Sequence, residues 1–382
     1  MKILMLNYEF PPIGGGGGHA HRCLLEQFSG RDDLDVDLVT SAPQRGLQLE
    51  RLGSNVSIHR VGINKRHLHV WRRSEVVEWL RRARPVYRRL VKSGRYHLVH
   101  AFFAFPSGWL CHRTRRELPY IISLRGSDVP GGNRRLGLDY KLLGPTVFKP
   151  IWRHAGAIVA CSEGLKARAL RFLPSAEIEV IPNGVDLERF HPGEGDEAGA
   201  TLRLLTVGRL SLTKRVPFLL AAVTQLAEQG GKISLTVVGG GALQAELEEI
   251  VAQKKLTETV RLVGRVEAQA MPEMYRRHDL FVSASMQEGM SNAMLEAMAS
   301  GLPIVTTRCE GVDELIADNG VVVDDPEPGA LAGAIGKIAS DREVLRAMSA
   351  AARQRAETFS WDAIAEAYLA LYAVVKGEPQ CK

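Results

Sequence analysis

The chain has 382 residues, 45% of them hydrophobic and 24% charged, which is enough for two ordinary domains with separate cores, and disorder is not expected. No apolar run approaches the roughly 20 residues that span a bilayer, and the N-terminus enters a strand-like segment without a secretory signal, so the protein is expected to be cytoplasmic. The net charge of +6 is uneven: residues 1–190 hold 30 Lys and Arg against 17 Asp and Glu, the rest 19 against 26.

A basic first half suits an anionic partner such as a lipid headgroup, a phosphorylated acceptor or nucleic acid, and equally a solvated arginine-rich surface. The 5 cysteines, Cys23, Cys111, Cys161, Cys309 and Cys381, are scattered and never spaced C-x-x-C. Neither a disulfide framework nor a zinc site is signalled, and they are expected to be reduced and mostly buried.

Short β-branched or leucine-rich runs at residues 2–6, 36–40, 98–101, 120–124, 157–160 and 179–181 alternate with helical stretches, the rhythm of a parallel α/β sheet. The rhythm restarts at 202–207, 234–238, 260–263, 280–283, 303–306 and 321–323, so two doubly wound domains are expected. Between them residues 191–200 are rich in Pro, Gly and acids, which places a linker and a boundary near residue 195: a first domain over 1–195 and a second over 196–360. Residues 74–92 repeat apolar positions at helical spacing with arginines largely elsewhere, predicting an amphipathic helix bent at Pro85. Its apolar stripe is expected to face the domain, and its basic face is a candidate for peripheral contact with an anionic membrane.

After the first strand, Pro11-Pro12-Ile13 and the glycines 14–18 lead into a helix expected to start near His19. Glycine permits close backbone approach, and a helix N-terminus offers N–H groups to a phosphate or a sugar hydroxyl, so Gly15, Gly16 and Gly17 are candidate contacts. Neither this loop nor Gly239-Gly240-Gly241 completes a dinucleotide fingerprint: the third glycine is replaced by His19 in one and Gln244 in the other. A dehydrogenase is therefore disfavoured, and no Walker loop occurs.

The second domain's first strand ends in Gly208-Arg209, with Lys214 five residues on. Cations just past the C-terminal end of a strand stand where open α/β sheets bind ligands, and suit a diphosphate. Past residues 280–283 comes Glu288-Gly289-Met290-Ser291-Asn292-Ala293-Met294-Leu295-Glu296. Glu288 falls in the loop, while Ser291 or Asn292 opens a helix whose amides can hold phosphate oxygens. Glu296, about one and a half turns in, is placed to accept hydrogen bonds from both hydroxyls of a ribose.

With these residues in view, the chain resembles the family 4 retaining glycosyltransferases of GT-B fold, of the bacterial lipopolysaccharide and polysaccharide type. The likeness runs nearly end to end: MKILMLNYEFPPIGGGGG, HAFFAFPSG, LRGSDVPG, AIVACSEGLK, IEVIPNGVDLERF, GRLSLTKR, GGGALQAEL, LVGRV and the glutamate pair. It implies two Rossmann-like domains facing across a cleft, the first binding the acceptor and the second the nucleotide-sugar donor. The helix at 361–375 would return to the first domain, which residues 361–382 then join.

In such enzymes the Arg and Lys neutralise the donor diphosphate, the second Glu holds the ribose and the first contacts the transferred sugar. Those roles fall on Arg209, Lys214, Glu296 and Glu288. Gly208, Gly239, Gly289, Met290, Ser291, Asn292 and Leu295 complete the expected donor set, with backbone near Val266 at the base edge. Arg125-Gly126-Ser127-Asp128 stands where many members read H-G-S-D. Arg125 cannot act as a base, so it would bind an acidic sugar or acceptor, or add charge against the leaving phosphate. Asp128 joins it as a catalytic candidate, as does His100, read as the remaining histidine at a strand end on the active face.

The expected reaction is sugar transfer to a hydroxyl of a glycan or glycolipid, from a UDP-sugar rather than a GDP- or ADP-sugar, with no cofactor and no metal. A metal-dependent transferase would rest on Asp33 and Asp35, which precede a strand and so lie at the wrong edge of the sheet. A sugar-nucleotide epimerase, hydrolase or phosphorylase on the same fold stays open. A nucleic-acid-binding module fits the charge, but aromatic residues are only 6% and no motif of that class occurs.

Overall fold

The structure is a computed structural model that describes residues 1–132, 137–193, 201–324 and 327–377. Two compact units emerge, one of Met1–Gly184 with Trp361–Lys382, the other of Val185–Ser360. The expected boundary near residue 195 lies outside the described residues, as do most of the 191–200 stretch and Cys381. The division falls earlier because the chain is already bound to the second unit: Val185 N–H donates to the Phe359 carbonyl, and the Phe190 ring packs edge-on to Tyr275 at 5.7 Å.

The first unit runs β1 (Lys2–Asn7), α1 (Gly16–Phe28), β2 (Asp35–Ala42), β3 (Leu47–Leu52), β4 (Val56–Gly62), α2 (Arg73–Lys92), β5 (Leu98–Phe102), α3 (Ser107–His112), β6 (Tyr120–Leu124), α4 (Gly137–Leu143), α5 (Lys149–Arg153), β7 (Ala157–Ala160), α6 (Glu163–Phe172) and β8 (Glu179–Val180). Its sheet has the order β3-β4-β2-β1-β5-β6-β7-β8, parallel except for the antiparallel hairpin β3-β4 at one edge. Ile3 stands beside Val36 and Leu98 in register. β5 and β6 are buried at every position, as expected of parallel strands covered on both faces.

The hairpin is an addition to the sequence expectation. Val56–Gly62 is mostly buried, but Leu47–Leu52 faces solvent, and its mixed charged and leucine pattern carries no inside-outside alternation. α2 packs through Trp79, Ala83, Tyr87 and Val91 and runs through Pro85 as one helix. α1 starts at Gly16, three residues before the expected start at His19, because glycine itself supplies the cap and first turn.

The second unit runs β9 (Leu202–Val207), α7 (Val216–Glu228), β10 (Ile233–Val238), α8 (Gln244–Gln253), β11 (Val260–Gly264), α9 (Met271–Arg276), β12 (Leu280–Ser283), α10 (Asn292–Ala299), β13 (Ile304–Thr307), α11 (Val312–Leu315), β14 (Gly320–Val323), α12 (Pro328–Ala339) and α13 (Arg342–Glu357). The sheet order is β11-β10-β9-β12-β13-β14, all parallel. Strand order reverses between β9 and β12, so a crevice opens at the C-terminal ends of those two strands. Leu204, Leu220, Leu235, Leu247, Leu280, Val305, Leu331 and Ile335 fill the core beneath it.

The final helix, α14 (Trp361–Gly377), belongs to the first unit. It buries Trp361, Ile364, Ala365, Tyr368, Leu371, Tyr372 and Val375. Trp361 lies so close to Gly184 that a Cβ there would come within 2.6 Å of it, and Val375 would stand 3.1 Å from a Cβ on Gly156.

Candidate functional site

At the C-terminal edge of the second sheet, the loops after β9 and β10 meet backbone to backbone. Gly208 N–H donates to the Val238 carbonyl at 2.9 Å, and Leu210 N–H to Gly240 at 3.2 Å. A Cβ on Gly239 (φ +135°) would lie 1.8 Å from the Gly208 carbonyl oxygen, and one on Gly241 2.2 Å from that of Leu210. Gly239 therefore serves loop contact first. Gly208 in turn leaves its face to the stem of Lys214, whose Cε would stand 3.2 Å from a Cβ.

Arg209 and Lys214 line the crevice beside these loops, and Glu288 reaches it through Lys214. Arg209 is exposed at the loop tip. Lys214 Nζ forms an ion pair with the Glu288 carboxylate. Both are largely buried, with 24% and 14% of their side-chain surfaces exposed, so the pair is screened less than a surface one. Glu288 is held by its backbone, whose N–H donates to Glu310 at 3.1 Å, and Met286 N–H donates to Thr213 in the lysine's own loop at 2.9 Å.

Two braces here had no sequence signal. Arg215, in the left-handed region at φ 46°, donates through Nε to the Ala284 carbonyl at 2.8 Å and through Nη2 to Thr307 at 3.2 Å. Adjacent to Lys214 in sequence, it turns inward where Lys214 turns toward Glu288. Glu310 follows β13, far from Glu288 in sequence.

Ser291 caps α10, its Oγ accepting from Met294 N–H at 3.4 Å. Glu296 lies on the next turn, where the Tyr275 hydroxyl donates to Oε2 at 2.8 Å. Burial pushes its carboxyl up to about 7, the Tyr275 hydrogen bond and the Arg189 charge opposing. Gly289, Met290 and Asn292 surround the capped helix start, and Val266 follows β11 at the same sheet edge. Leu295 does not join them: it is fully buried in the core, so its side chain is unavailable to a ligand.

In the first unit the expected group divides differently. Gly15 caps α1, and Gly17 faces inward, where a Cβ would lie 2.8 Å from the Phe103 ring. Gly18 abuts the Glu9 carbonyl, and Gly14, at φ +102°, donates to the Leu68 carbonyl at 2.9 Å. Close packing accounts for these glycines, while Gly15 and Gly16 open the helix.

His100 is corrected. It lies in the middle of β5, not at a strand end, is fully buried, and engages Tyr372 Oη through Nδ1 and Ser123 Oγ through Nε2, each at 2.7 Å. Burial, with the Arg125 charge adding, holds it neutral. Asp128 is corrected likewise: 3% exposed, it accepts from Ala104 N–H at 2.7 Å and Arg125 N–H at 2.8 Å, clasping two loops. Burial raises its pKa against those bonds. Arg125 is half-buried 4.3 Å over the Phe102 ring, donating to Asn183 Oδ1 at 2.8 Å and Tyr368 Oη at 2.9 Å. Its charge has neutral acceptors on both sides. Among the described residues no carboxylate pairs with it.

Comparison with known proteins agrees with this division. Residues 13–189 match the family described as Glycosyltransferase Family 4, and residues 190–355 match Glycosyl transferases group 1. An uncharacterized glycosyltransferase of Methanocaldococcus jannaschii is 26% identical over 366 residues, 95% of each chain. Among solved structures, a sucrose-phosphate synthase from Thermosynechococcus elongatus superposes with a TM-score of 0.81 at 22% identity, covering 98% of both chains. The Anabaena protein HepE, in complex with UDP and glucose, superposes with a TM-score of 0.75 at 18% identity, covering 98% of this chain and 99% of that one.

Proposed function

The chain belongs to the family 4 glycosyltransferases of GT-B fold, and on that premise we propose that it moves a sugar from a nucleotide diphosphate donor to a hydroxyl acceptor, with retention of configuration and without a metal ion. The second unit binds the donor and the first the acceptor, a glycan or glycolipid. UDP is the preferred carrier, a reading that the UDP complex of HepE supports by likeness of fold.

The observation that carries this reading is the Lys214–Glu288 pair beside Arg209 at the capped start of α10. A diphosphate that engages both cations sets its sugar next to the Glu288 carboxylate. As the anomeric carbon–oxygen bond breaks, negative charge grows on the leaving diphosphate, and Arg209, Lys214 and the amides near Asn292 stabilise it. The acceptor hydroxyl attacks from the face the phosphate leaves and gives its proton to a phosphate oxygen. No side-chain nucleophile is required. Glu288 orients the sugar, and Glu296 accepts the ribose hydroxyls.

Release of UDP from a UDP-sugar, followed with and without a panel of hydroxyl acceptors, tests this. Lys214→Ala and Arg209→Ala should each lower acceptor-dependent release about 100-fold or more, since a contact at developing charge contributes roughly 3 kcal/mol, and EDTA should leave the rate unchanged. Chelator inhibition reversed by Mg²⁺ or Mn²⁺ would overturn the metal-free mechanism. UDP release that ignores the acceptor would favour a hydrolase, and conversion of the donor sugar without net UDP release an epimerase.

A further inference from the structure

The second unit carries a cleft that the candidate donor site does not use. It lies at the N-terminal ends of β9, β12 and β13, where Arg203, Asp279 and Leu302 stand, and so at the opposite edge of the sheet from Arg209 and Lys214. Its volume is about 770 Å³, the size of a small-molecule site. α13 forms the other wall. Arg342, Arg346, Ser349 and Arg353 recur on it at intervals of four, three and four residues, which puts them on one face of the helix.

Five arginines line this cleft against two acids, Asp279 and Glu357. Three of the five are committed to the protein: Arg203 is bidentate on Asp279 at 2.9 and 3.1 Å, Arg276 holds Glu273 at 3.1 Å, and Arg353 donates to the Phe190 and Ala299 carbonyls at 2.9 Å each. Arg346, one helical turn on from Arg342, is exposed and pairs with no carboxylate among the described residues. A hydroxyl without a partner stands close by. Ser300, which closes α10, is 6% exposed and lines the cleft, and its Oγ makes no hydrogen bond. α13 is pinned to this turn, for Ser349 Oγ donates to the Gly301 carbonyl at 2.6 Å while Arg353 holds Ala299. Arg346 therefore stands about one helical turn from the contact with Ser300's neighbours. Burying a hydroxyl without an acceptor is unfavourable, and an anion in the cleft supplies one.

We infer that this cleft binds a small organic phosphate, with Arg342 and Arg346 supplying the charge and Ser300 a hydrogen bond. Guanidinium forks and a hydroxyl donor suit the oxygens of a phosphate dianion. The buried Leu302 and Leu345 in the same lining give a carbon skeleton an apolar floor, which a bare ion would not use. The inference is independent of the proposed transfer activity, because the two sites lie at opposite edges of one sheet.

The test is calorimetric titration of the full chain with ribose 5-phosphate, inorganic phosphate and ribose. Ribose 5-phosphate is expected to saturate one site per chain and to bind more tightly than inorganic phosphate, with no heat from ribose. Arg342→Ala with Arg346→Ala should weaken binding about tenfold or more, and Ser300→Ala about fivefold without lowering the melting temperature. Arg346→Glu, at an exposed side chain that the fold does not use, should abolish it. Arg81→Ala with Arg84→Ala, on α2 of the first unit, and Arg209→Ala with Lys214→Ala, at the donor edge, should both bind as the unsubstituted protein does. Loss of binding in the donor-edge variant, or full binding by Arg346→Glu, overturns the inference. Equal affinity for the two anions overturns the organic ligand and leaves a site for the free ion. Binding that appears only after Glu194→Gln, Asp196→Asn and Glu197→Gln also overturns it, since the arginines then serve the chain's own acids.

Discussion

At the scale of the residue, Glu296 is the most informative titrating group. Its carboxyl titrates near 7 because burial disfavours the charge, and the Tyr275 hydroxyl recovers only part of what water would give. An unfolded glutamate titrates near about 4.3, so the raised group favours folding fully below that pH, and the contribution is lost as pH rises through about 7. Ribose binding needs the other form, because two hydroxyls must donate to an ionised carboxylate. Affinity for a nucleotide sugar, whose diphosphate does not titrate in this range, should therefore rise up to roughly tenfold between about pH 6 and pH 8. Calorimetric titration across that interval checks it, with Glu296→Gln expected to bind more weakly and nearly independently of pH. A glutamine variant with the wild-type slope would remove Glu296 from the ribose.

At the scale of the element, the donor edge depends on two loops in backbone contact. Gly239 combines a φ of +135° with a carbonyl 1.8 Å from where a Cβ would stand, so no side chain fits without separating β9's loop from β10's. Gly239→Ala should displace Gly208 and with it the stem of Lys214, weakening nucleotide binding tenfold or more, while Gly230→Ala, at a φ of +78° with no atom within 4 Å, should leave binding unchanged. Equal binding by both variants would show that the loop contact does not set the lysine. These elements also mark how far the sequence could be read. Strands such as Leu202–Val207 and Leu280–Ser283 were legible because β-branched and leucine runs end at turn residues, and the position of Arg209, Lys214 and Glu288 in loops past those strands, with Glu296 inside the next helix, was legible with them. β3 was not, since an exposed edge strand needs no apolar alternation. His100 was misread because what satisfies it, Tyr372, lies 272 residues away, and local sequence carries no trace of that partner.

At the scale of the whole molecule, the chain leaves its first unit at Gly184 and comes back to it at Trp361, so the first unit's fold is completed only by the last helix. Tyr372 Oη bonds the buried His100 ring, and Tyr368 Oη accepts from Arg125, so α14 supplies polar partners to two interior groups as well as an apolar stripe. Removing one partner from a buried polar group costs about 1 to 3 kcal/mol. Tyr372→Phe keeps the ring and removes only the hydroxyl, which isolates that cost from cavity formation. Amides of β5 and β6 should then exchange with deuterium about fivefold faster or more, the expected consequence of a loss of about 1 kcal/mol or above, while amides of β9 and β12 keep their rates. Deleting residues 361–382 should have the larger consequence of exposing the faces of α1 and β5 that α14 covers, so that acceptor-dependent transfer is abolished while UDP still binds to the Val185–Ser360 unit with its affinity retained. Full turnover by the truncated chain, or loss of UDP binding in the Tyr372→Phe protein, would contradict the assignment of α14 to the first unit alone.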